Sequence, residues 1–365
     1  MPRTRRRFLA TGLAGLGGCL GSGRDSTADC PPSVGTDGQH RLGFVGDVML
    51  GRGVDERWDG RDPVDVWGDT AGRLRALDGL FLNLECCVSA RGERHPGRTY
   101  YFRAGPEWAV PALAEVGTSF AGLANNHVLD YGPVALQDTL EHLDDDGIPT
   151  AGAGDTRRAA FAPTVVGAGD LDVAVVALTD QAPLYAACAN SPGAAYVPLD
   201  PNNPLTRQWV GDALARARAA DPDLVVASLH WGPNWVVEPS ATQQAFARWL
   251  VDNGVDVVHG HSAHVVQGVE VYRGRPIVYD AGDFVDDYLV KPDLHNDRSF
   301  LFELVVADGT LDALELAPVE IVDAQVTRAG ADAAAWLRER MRQLSSPFGS
   351  SFTRAGEGLR LPLSC

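Results

Sequence analysis

The chain has 365 residues and a formal net charge of −17 at pH 7, with 45% hydrophobic residues. This acidic excess argues against nucleic acid or an anionic membrane surface as a partner, because both carry charge of the same sign. Lys291 is the only lysine, and acid-rich, lysine-poor proteins suit concentrated salt that screens self-repulsion, so the composition favours a halophilic, archaeal origin.

The first twenty residues predict export. Arg5, Arg6 and Arg7 precede a glycine-rich apolar run that is too short to span a bilayer, which is typical of a removable signal. Paired arginines followed by Phe-Leu favour the twin-arginine route. The tetrapeptide Leu-Gly-Gly-Cys that ends at Cys19 resembles a lipoprotein cleavage site. We therefore expect a cell-surface protein anchored through lipidated Cys19, with a plain secretory signal and a chance cysteine as the alternative.

The remaining chain divides into three parts. Residues 21–40 are rich in Gly, Ser, Asp and Pro, and predict a flexible tether. Residues 41–325 alternate strand and helix signals without a linker, which indicates one large domain. Residues 326–365 contain one expected helix, near 331–344, and a Ser/Gly-rich end that is expected to fray. Because no later apolar run is long enough for a transmembrane helix, we expect membrane contact only through the anchor.

Short apolar runs predict strands that are buried on both faces of a sheet. They occur at residues 42–45, 80–84, 120–124, 173–178, 224–229 and 255–258. Helices are expected between them: Pro133 starts one that ends at Gly147, and Ser240 with Gln243 forms a capping box for another. From 265 to 316 the pattern changes to strands joined by tight turns. The whole pattern predicts an α/β fold of two packed sheets with helices outside.

Residue types that bind metals follow five of these strands. They are Asp47, Glu85, Asn126, His127, His230, His261 and His264. Carboxyl ends of strands in α/β sheets gather the ligand-binding groups at one edge. Carboxylate, amide oxygen and imidazole together suit Mn, Zn or Fe better than Ca or Mg, so we predict a site for one or two divalent ions. A lone histidine is more often structural, and we assign His40, His95, His142 and His295 to that class.

The blocks that carry these residues resemble the calcineurin-like metallophosphatase fold and, more narrowly, the CapA family of poly-γ-glutamate capsule synthesis. The matching blocks are GDVMLGR from Gly46, NLE from Asn83, ANNHVLDYG from Ala124, HWG from His230, GHSAHVVQGVE from Gly260 and YDAGDFVDD from Tyr279. The resemblance implies a four-layer metallophosphatase-like sandwich, with two central mixed β-sheets flanked by helices. It also implies work on an anionic surface polymer such as poly-γ-glutamate, with membrane synthase subunits as partners.

Residue roles follow from the resemblance by position. It implies these metal ligands: Asp47, Glu85, Asn126, His230 and His264, with His261 as a ligand or a neighbour of one. The implied catalytic group is His127, as proton donor or charge stabiliser, together with Asp47 and His230. Arg52 would grip an anionic substrate, and Gln267 would line the mouth of the site.

Several departures from the family pattern leave the activity open. Met49 stands where phosphatases of this fold usually have a histidine, which would weaken one metal position, and Asp283 replaces the usual Asn. The alternatives are a metal-dependent phosphoesterase or polymer hydrolase, and a structural lipoprotein with a vestigial site. The basic stretch 91–103 would contact polymer through Arg94 and Arg98, or would be an ordinary solvated loop.

Overall fold

The computed structural model describes residues 38–363. The expected signal, the lipidated Cys19 and almost all of the tether lie outside this range. The strands are β1 Gln39–Val48, β2 Gly79–Leu84, β3 Cys87–Val88, β4 Arg103–Ala104, β5 Thr118–Gly122, β6 Thr150–Ala151, β7 Ala153–Gly154, β8 Thr164–Ala168, β9 Leu171–Thr179, β10 Gly193–Ala194, β11 Leu224–His230, β12 Val257–His261, β13 Val269–Tyr272, β14 Arg275–Val278, β15 Asp283–Val285, β16 Arg298–Ala307, β17 Thr310–Val322, β18 Gln325–Arg328, β19 Thr353–Ala355 and β20 Gly358–Pro362.

The helices lie between and after these strands. They are α1 Gly53–Trp58, α2 Ala71–Leu74, α3 Pro106–Glu115, α4 Gly132–Asp145, α5 Arg157–Ala160, α6 Pro204–Ala219, α7 Ala241–Asp252 and α8 Ala331–Ser345, with 3₁₀ segments at Pro63–Thr70, Pro183–Tyr185 and Ser346–Phe348. Within residues 38–363, none of them has the length and hydropathy of a membrane-spanning helix.

Two mixed sheets form the centre of the molecule. The larger sheet has the order β19-β20-β17-β16-β1-β2-β5-β6, with β15 beside β1 and β18 beside β17. The smaller sheet has the order β13-β14-β12-β11-β9-β8. The strands β1, β2, β5 and β6 run parallel, as do β9, β11 and β12, whereas the hairpin-rich strands pair antiparallel. The six predicted apolar runs correspond to strands β1, β2, β5, β9, β11 and β12.

Three apolar cores separate four layers. Between the sheets, Phe44 and Phe81 of the larger sheet pack in one core with Val226 of the smaller sheet. A second core joins the outer face of the larger sheet to helices α3 and α4, and a third joins the smaller sheet to α6 and α7. Burying each large apolar side chain contributes about 1.5–3 kcal/mol. The helix–sheet–sheet–helix arrangement confirms the four-layer prediction.

The predicted capping box determines where α7 begins. The Ser240 hydroxyl accepts from the Gln243 backbone N–H at 3.2 Å, and the Gln243 side-chain oxygen accepts from the Ser240 N–H at 2.9 Å. These reciprocal bonds satisfy two N–H groups that the first helical turn leaves without partners. Helix α7 then covers the outer face of the smaller sheet beside β11 and β12, which end in two of the histidines discussed below, His230 and His261.

The C-terminal segment differs from expectation. The boundary expected after residue 325 falls inside β18, and Leu337 and Met341 of α8 join the core between the sheets. The end that was expected to fray forms β19 and β20, with β20 paired to β17. Leu359 and Leu361 of β20 are buried in the same core. Leu359 and Leu361 alternate with the polar Arg360, as expected for a short strand. The Ser- and Gly-rich composition of the surrounding residues obscured this signal.

Candidate metal centre

The predicted ligands meet around Asp47, at the carboxyl ends of β1, β2, β11 and β12. The Oδ1 atom of Asp47 lies 3.6 Å from Nδ1 of His230 and 3.4 Å from Nδ1 of His261. Its Oδ2 atom lies 3.5 Å from Nδ1 of His264. His230 and His261 are register partners at the ends of two parallel strands, which is why sequence-distant histidines become neighbours. All four side chains are buried.

Two groups of possible ligands share Asp47. One group consists of Asp47, His230 and His261, and the other of Asp47, Glu85, His264 and Asp283; within each, the ligand atoms lie within 4.8 Å of one another. Asp47 belongs to both groups, so it would be a ligand of an ion held by either of them. Asp283, noted in the sequence only as a departure, enters because β15 pairs with β1 and sets Asp283 opposite Asp47.

The centre concentrates buried negative charge. Both oxygens of Glu85, one of Asp283 and one of Asp286 are buried without a hydrogen-bond partner among the described residues. Burial, reinforced by the charges of Asp47 and Asp283, raises the pKa of Glu85 well above its usual range. Burial also raises the pKa of Asp283 and Asp286. Unpartnered buried carboxylates must take up protons or a cation, and this mixed oxygen and nitrogen donor set fits a divalent metal.

Asp47 itself behaves differently. Burial favours a higher pKa for this carboxyl, but the neighbouring His230 and His261 imidazoles lower its pKa well below the usual range. Burial conversely lowers the pKa of both histidines, against the attraction of Asp47. The centre therefore favours neutral imidazoles around an ionised carboxylate, which are the protonation states that ligate metal.

Amide side chains complete and support this centre. Asn126 lies where it was predicted, with its Oδ1 atom 2.9 Å from Nε2 of His230. Asn83, which was not assigned a role, donates from Nδ2 to Oδ1 of Asp47 at 2.7 Å. Asn125 donates to the Leu84 carbonyl and accepts from the backbone N–H of His127. Asn126 therefore lies at the centre itself, whereas Asn83 holds Asp47 in place and Asn125 holds His127.

His127 lies beside the acidic cluster and is oriented by Asp130. Its Nδ1 atom is 2.6 Å from Oδ2 of Asp130, and its Nε2 atom is 3.8 Å from Oε1 of Glu85. Asp130 also accepts from the Phe102 backbone N–H at 2.8 Å and from the Tyr185 hydroxyl at 3.2 Å. Burial lowers the pKa of His127 to about 4, although Asp130 opposes this shift. The geometry suits a proton donor or charge-stabilising group that faces the cluster through Nε2.

A cavity of about 610 Å³ lies over Asn126 and His127. Its cationic side chains are Arg52, Arg98 and Lys291, and its aromatic side chains are Tyr100, Trp235 and Tyr288. Lys291, the only lysine of the chain, lies with its Nζ atom 4.7 Å from the centre of the Trp235 ring. An overall acidic protein thus presents a locally basic, aromatic opening above its candidate metal centre.

The three cations differ in how far their charge is already satisfied. Arg52 donates from Nε to the two carboxylate oxygens of Asp287, at 3.0 and 3.2 Å. Arg98 donates to the Asn126 carbonyl at 2.6 Å and lies 3.5 Å from Oδ1 of Asp130. Lys291 forms no ion pair with any residue that the structure describes. Arg52, predicted to grip substrate, is at the cavity but has most of its charge neutralised.

Two further sequence predictions need correction. Gln267 is buried and donates from Nε2 to the Val236 carbonyl at 2.8 Å, so it supports the loop beside the cavity and does not line its mouth. In the basic stretch 91–103, only Arg98 of the two proposed polymer contacts reaches the cavity, because Arg94 stacks on the Tyr101 ring. Met49, as its apolar side chain suggests, is buried in the core between the larger sheet and helices α3 and α4.

Comparison with known proteins places this architecture in a family. Residues 41–288 match the family described as bacterial capsule synthesis protein PGA_cap. A probable polyglutamine synthesis accessory protein of Mycobacterium tuberculosis is 33% identical over 352 residues, covering 83% of this chain and 90% of the relative. The PGA biosynthesis protein CapA of Bacillus subtilis is 29% identical over 250 residues, covering 67% of this chain and 62% of that protein.

Among solved structures, a 5'-nucleotidase from Candida albicans covers 89% of this chain and 62% of its own, with a TM-score of 0.37 and 10% identity. The family match extends over more than half of the chain, from β1 to the loop after β15 that contributes Tyr288 to the cavity. The chain therefore belongs to the CapA-type family of capsule synthesis proteins.

Proposed function

We propose that this protein is an accessory component in the synthesis or export of an anionic surface polymer such as poly-γ-glutamate. A divalent ion, Mn, Zn or Fe, held at the Asp47 cluster would help to orient the polymer's carboxylates. The names of the relatives, one for polyglutamine synthesis and one for PGA biosynthesis, support a glutamate-derived polymer. The main support for a bound metal comes from Glu85. Its two carboxylate oxygens are buried beside Asp47 and Asp283 and have no hydrogen-bond partner among the described residues. A cation offsets the repulsion among these carboxylates.

The cavity supplies the rest of the recognition. A protein with a net charge of −17 repels an acidic polymer unless positive charge is concentrated at the contact. Arg98 and Lys291 provide such charge above Asn126 and His127. The aromatic rings of Trp235 and Tyr288 line the same cavity and would pack against the apolar methylene segments that separate carboxylates in polyglutamate.

A metal-dependent hydrolase, acting on phosphoesters or on the polymer's amide bonds, is the second candidate. It is favoured by the contact between His127 and Asp130, which turns Nε2 of His127 toward the cluster and the cavity above it. Because Asp130 faces Nδ1 and the lowered pKa keeps the ring neutral, His127 would first accept a proton from the attacking water at Nε2 and then donate it to the leaving group. The hydrolase requires turnover that disappears both with a chelator and in His127→Ala.

For its cellular location, we propose export by the twin-arginine route and attachment through lipidated Cys19, which would bring the protein near membrane synthase subunits. The arginines before the apolar run and the small residues before Cys19 support this location. Labelling with a lipid precursor tests it. Cys19→Ala should lose the label and be released, and an unlabelled, freely released wild type would count against the anchor.

Metal content tests the proposed centre. Protein purified in its folded state in high salt is analysed for elements beside the double variant Asp47→Ala, His230→Ala. The matched control is Asp144→Ala, His142→Ala, which removes the same residue types from helix α4 away from the cluster. We expect near-stoichiometric Mn, Zn or Fe in wild type and control and its loss in the double variant, together with weaker binding of poly-γ-glutamate. Wild type without metal after reconstitution would favour a vestigial site.

A further inference from the structure

A second cavity, of about 490 Å³, lies beside the short helix α5 and helix α6. Its principal lining side chains are Arg157, Arg158, Phe161, Trp209 and Arg216. We call it the arginine pocket. It shares no lining residue with the cavity above the candidate metal centre, and none of the predictions from sequence or family assigns it a role.

The charge of the arginine pocket is unsatisfied. Within residues 38–363, Arg157, Arg158 and Arg216 form no ion pair, although acids outnumber basic residues in the chain by 48 to 31. Asp212 also lines the pocket, but its carboxylate pairs with none of the three arginines; only its backbone carbonyl accepts a bond, from Nε of Arg216 at 3.3 Å. The Nε atom of Arg157 is buried and has no hydrogen-bond partner among the described residues. Three guanidinium groups without a carboxylate partner in one concavity favour an anionic ligand.

Side-chain contacts join the arginines of the pocket to its aromatic rings. The Arg157 guanidinium lies over the Trp209 ring, 4.6 Å from its centre, and Trp209 contacts Phe161 edge to face at 5.6 Å. Arg216 donates to the Phe161 carbonyl at 2.6 Å. These contacts hold the aromatic rings beside fixed positive charge. Such a surface accommodates a chain in which carboxylates alternate with short methylene segments.

A short segment connects this pocket to the first cavity. Tyr185 lies beneath the guanidinium of Arg98, 5.2 Å from ring centre to Cζ, and Arg98 lines the cavity over the metal centre. Ala189, four residues later, lines the arginine pocket. Four residues span at most about 14 Å even when extended. The Arg157 N–H donates to the Cys188 carbonyl at 2.7 Å, which fixes the segment against α5.

We propose that the arginine pocket is a second binding site for the same acidic polymer. The proposal rests on the proposed function, because it takes the polymer as the ligand of the first cavity. A chain long enough to occupy both sites is held by two contacts, the second of which is intramolecular once the first has formed. Binding therefore strengthens with polymer length until both sites are spanned.

The test uses fluorescent γ-glutamate oligomers of about three and about twenty residues, with anisotropy measured on the full metal-loaded protein. Wild type should bind the long oligomer about 10- to 100-fold more tightly than the short one. Arg157→Ala, Arg158→Ala should reduce this ratio to below about threefold. Arg340→Ala, Arg342→Ala on α8 removes the same charge elsewhere and should retain the wild-type ratio.

The metal-site variant Asp47→Ala, His230→Ala separates the two claims. If it binds the oligomers as wild type does while Arg157→Ala, Arg158→Ala binds them weakly, the arginine pocket is supported and the proposed role of the metal cavity fails. If the arginine variant keeps the wild-type length dependence, the second site is overturned and the first stands. Wild type that binds neither oligomer overturns both.

Discussion

The 2.6 Å contact between Nδ1 of His127 and Oδ2 of Asp130 determines which ring nitrogen faces the acidic cluster. Asp130 is completely buried and simultaneously accepts hydrogen bonds from the Phe102 backbone and the Tyr185 hydroxyl. Nε of Arg98 lies 3.5 Å from Oδ1 of the same residue, so four groups in all surround this one carboxylate. Asp130 is a positioning residue whose role can be separated from that of the ligands.

Asp130→Asn should lower the free energy of unfolding by about 1–3 kcal/mol, because an amide has one acceptor oxygen where the carboxylate has two. Urea denaturation measures the change. Asp69→Asn is the control: its pair with Arg328 is largely exposed, so that loss should be about 0.5 kcal/mol or less. Equal losses in the two variants would contradict the central role of Asp130.

Glu85→Gln should have opposite effects with and without metal. In chelator-treated protein the variant should be the more stable, because it removes a buried charge that Asp47 and Asp283 repel. With Mn or Zn, wild type should gain thermal stability and the variant should gain much less, since a ligand oxygen is lost. Thermal melts with and without chelator test this; the same order of stability in both would contradict the centre.

The advantage of Glu85→Gln in metal-free protein should grow with pH. The pKa of Glu85 is raised in the folded state, so its stability contribution is fully present below its ordinary pKa of 4.5 and is lost as pH rises toward the folded value. Over that interval, wild type should lose about 1.4 kcal/mol per pH unit relative to the variant. Denaturation of both proteins at several pH values above 4.5 measures the difference, and a constant difference would contradict the shift.

Gly46→Ala should destabilise the protein by about 2 kcal/mol or more. A Cβ atom at Gly46 would lie 1.7 Å from the Gly282 carbonyl oxygen, where β1 and β15 bring Asp47 opposite Asp283. Gly167→Ala on β8 is the matched control, since its Cβ meets nothing within 4 Å, and it should stay within about 1 kcal/mol of wild type. Similar stability of the two variants would show that the strands do not require this close approach.

Cys86 and Cys87 should resist alkylation in the folded protein. Burial raises the pKa of Cys86 well above its usual range and that of Cys87 to about 12, whereas Cys188 is exposed. With iodoacetamide at pH 8, peptide mapping should show Cys188 modified at least about 100-fold faster than the other two. Protein unfolded in urea is the control, because there the three rates should converge. Rapid labelling of Cys87 in folded protein would contradict its burial.

The acidic composition predicts that salt stabilises the fold. With a net charge of −17, screening between dilute buffer and molar KCl should raise the melting temperature by roughly 3 °C, equivalent to about 2 kcal/mol for a domain of this size. Sucrose at the same osmolality, which is excluded from the protein surface but does not screen charge, measures the part of the rise that is not electrostatic. A flat response to salt would remove the argument for a halophilic origin.

Local signals predicted the centre where each ligand follows an apolar strand directly, as Asp47 and His230 do. They missed Asp283 because β15 has only three residues and pairs with a strand more than 230 positions earlier. The same distance hides the pairing of Arg52 with Asp287. Gln267 was misassigned because a motif gives a residue's place in the chain but not the direction of its side chain. Contacts between segments far apart in sequence therefore determine these pairings and side-chain orientations, which local sequence patterns do not predict.

Lys291, the only lysine, allows the chain to be labelled chemically at one defined side chain. Apart from an amino terminus, its ammonium is the chain's only primary amine, and it lies beside Trp235 at the entrance to the cavity. Apart from that terminus, an amine-reactive dye or cross-linker would therefore attach only at this entrance. The protein can carry a reporter next to its candidate metal centre without any engineered cysteine, and a cross-link formed there would identify whatever approaches the cavity.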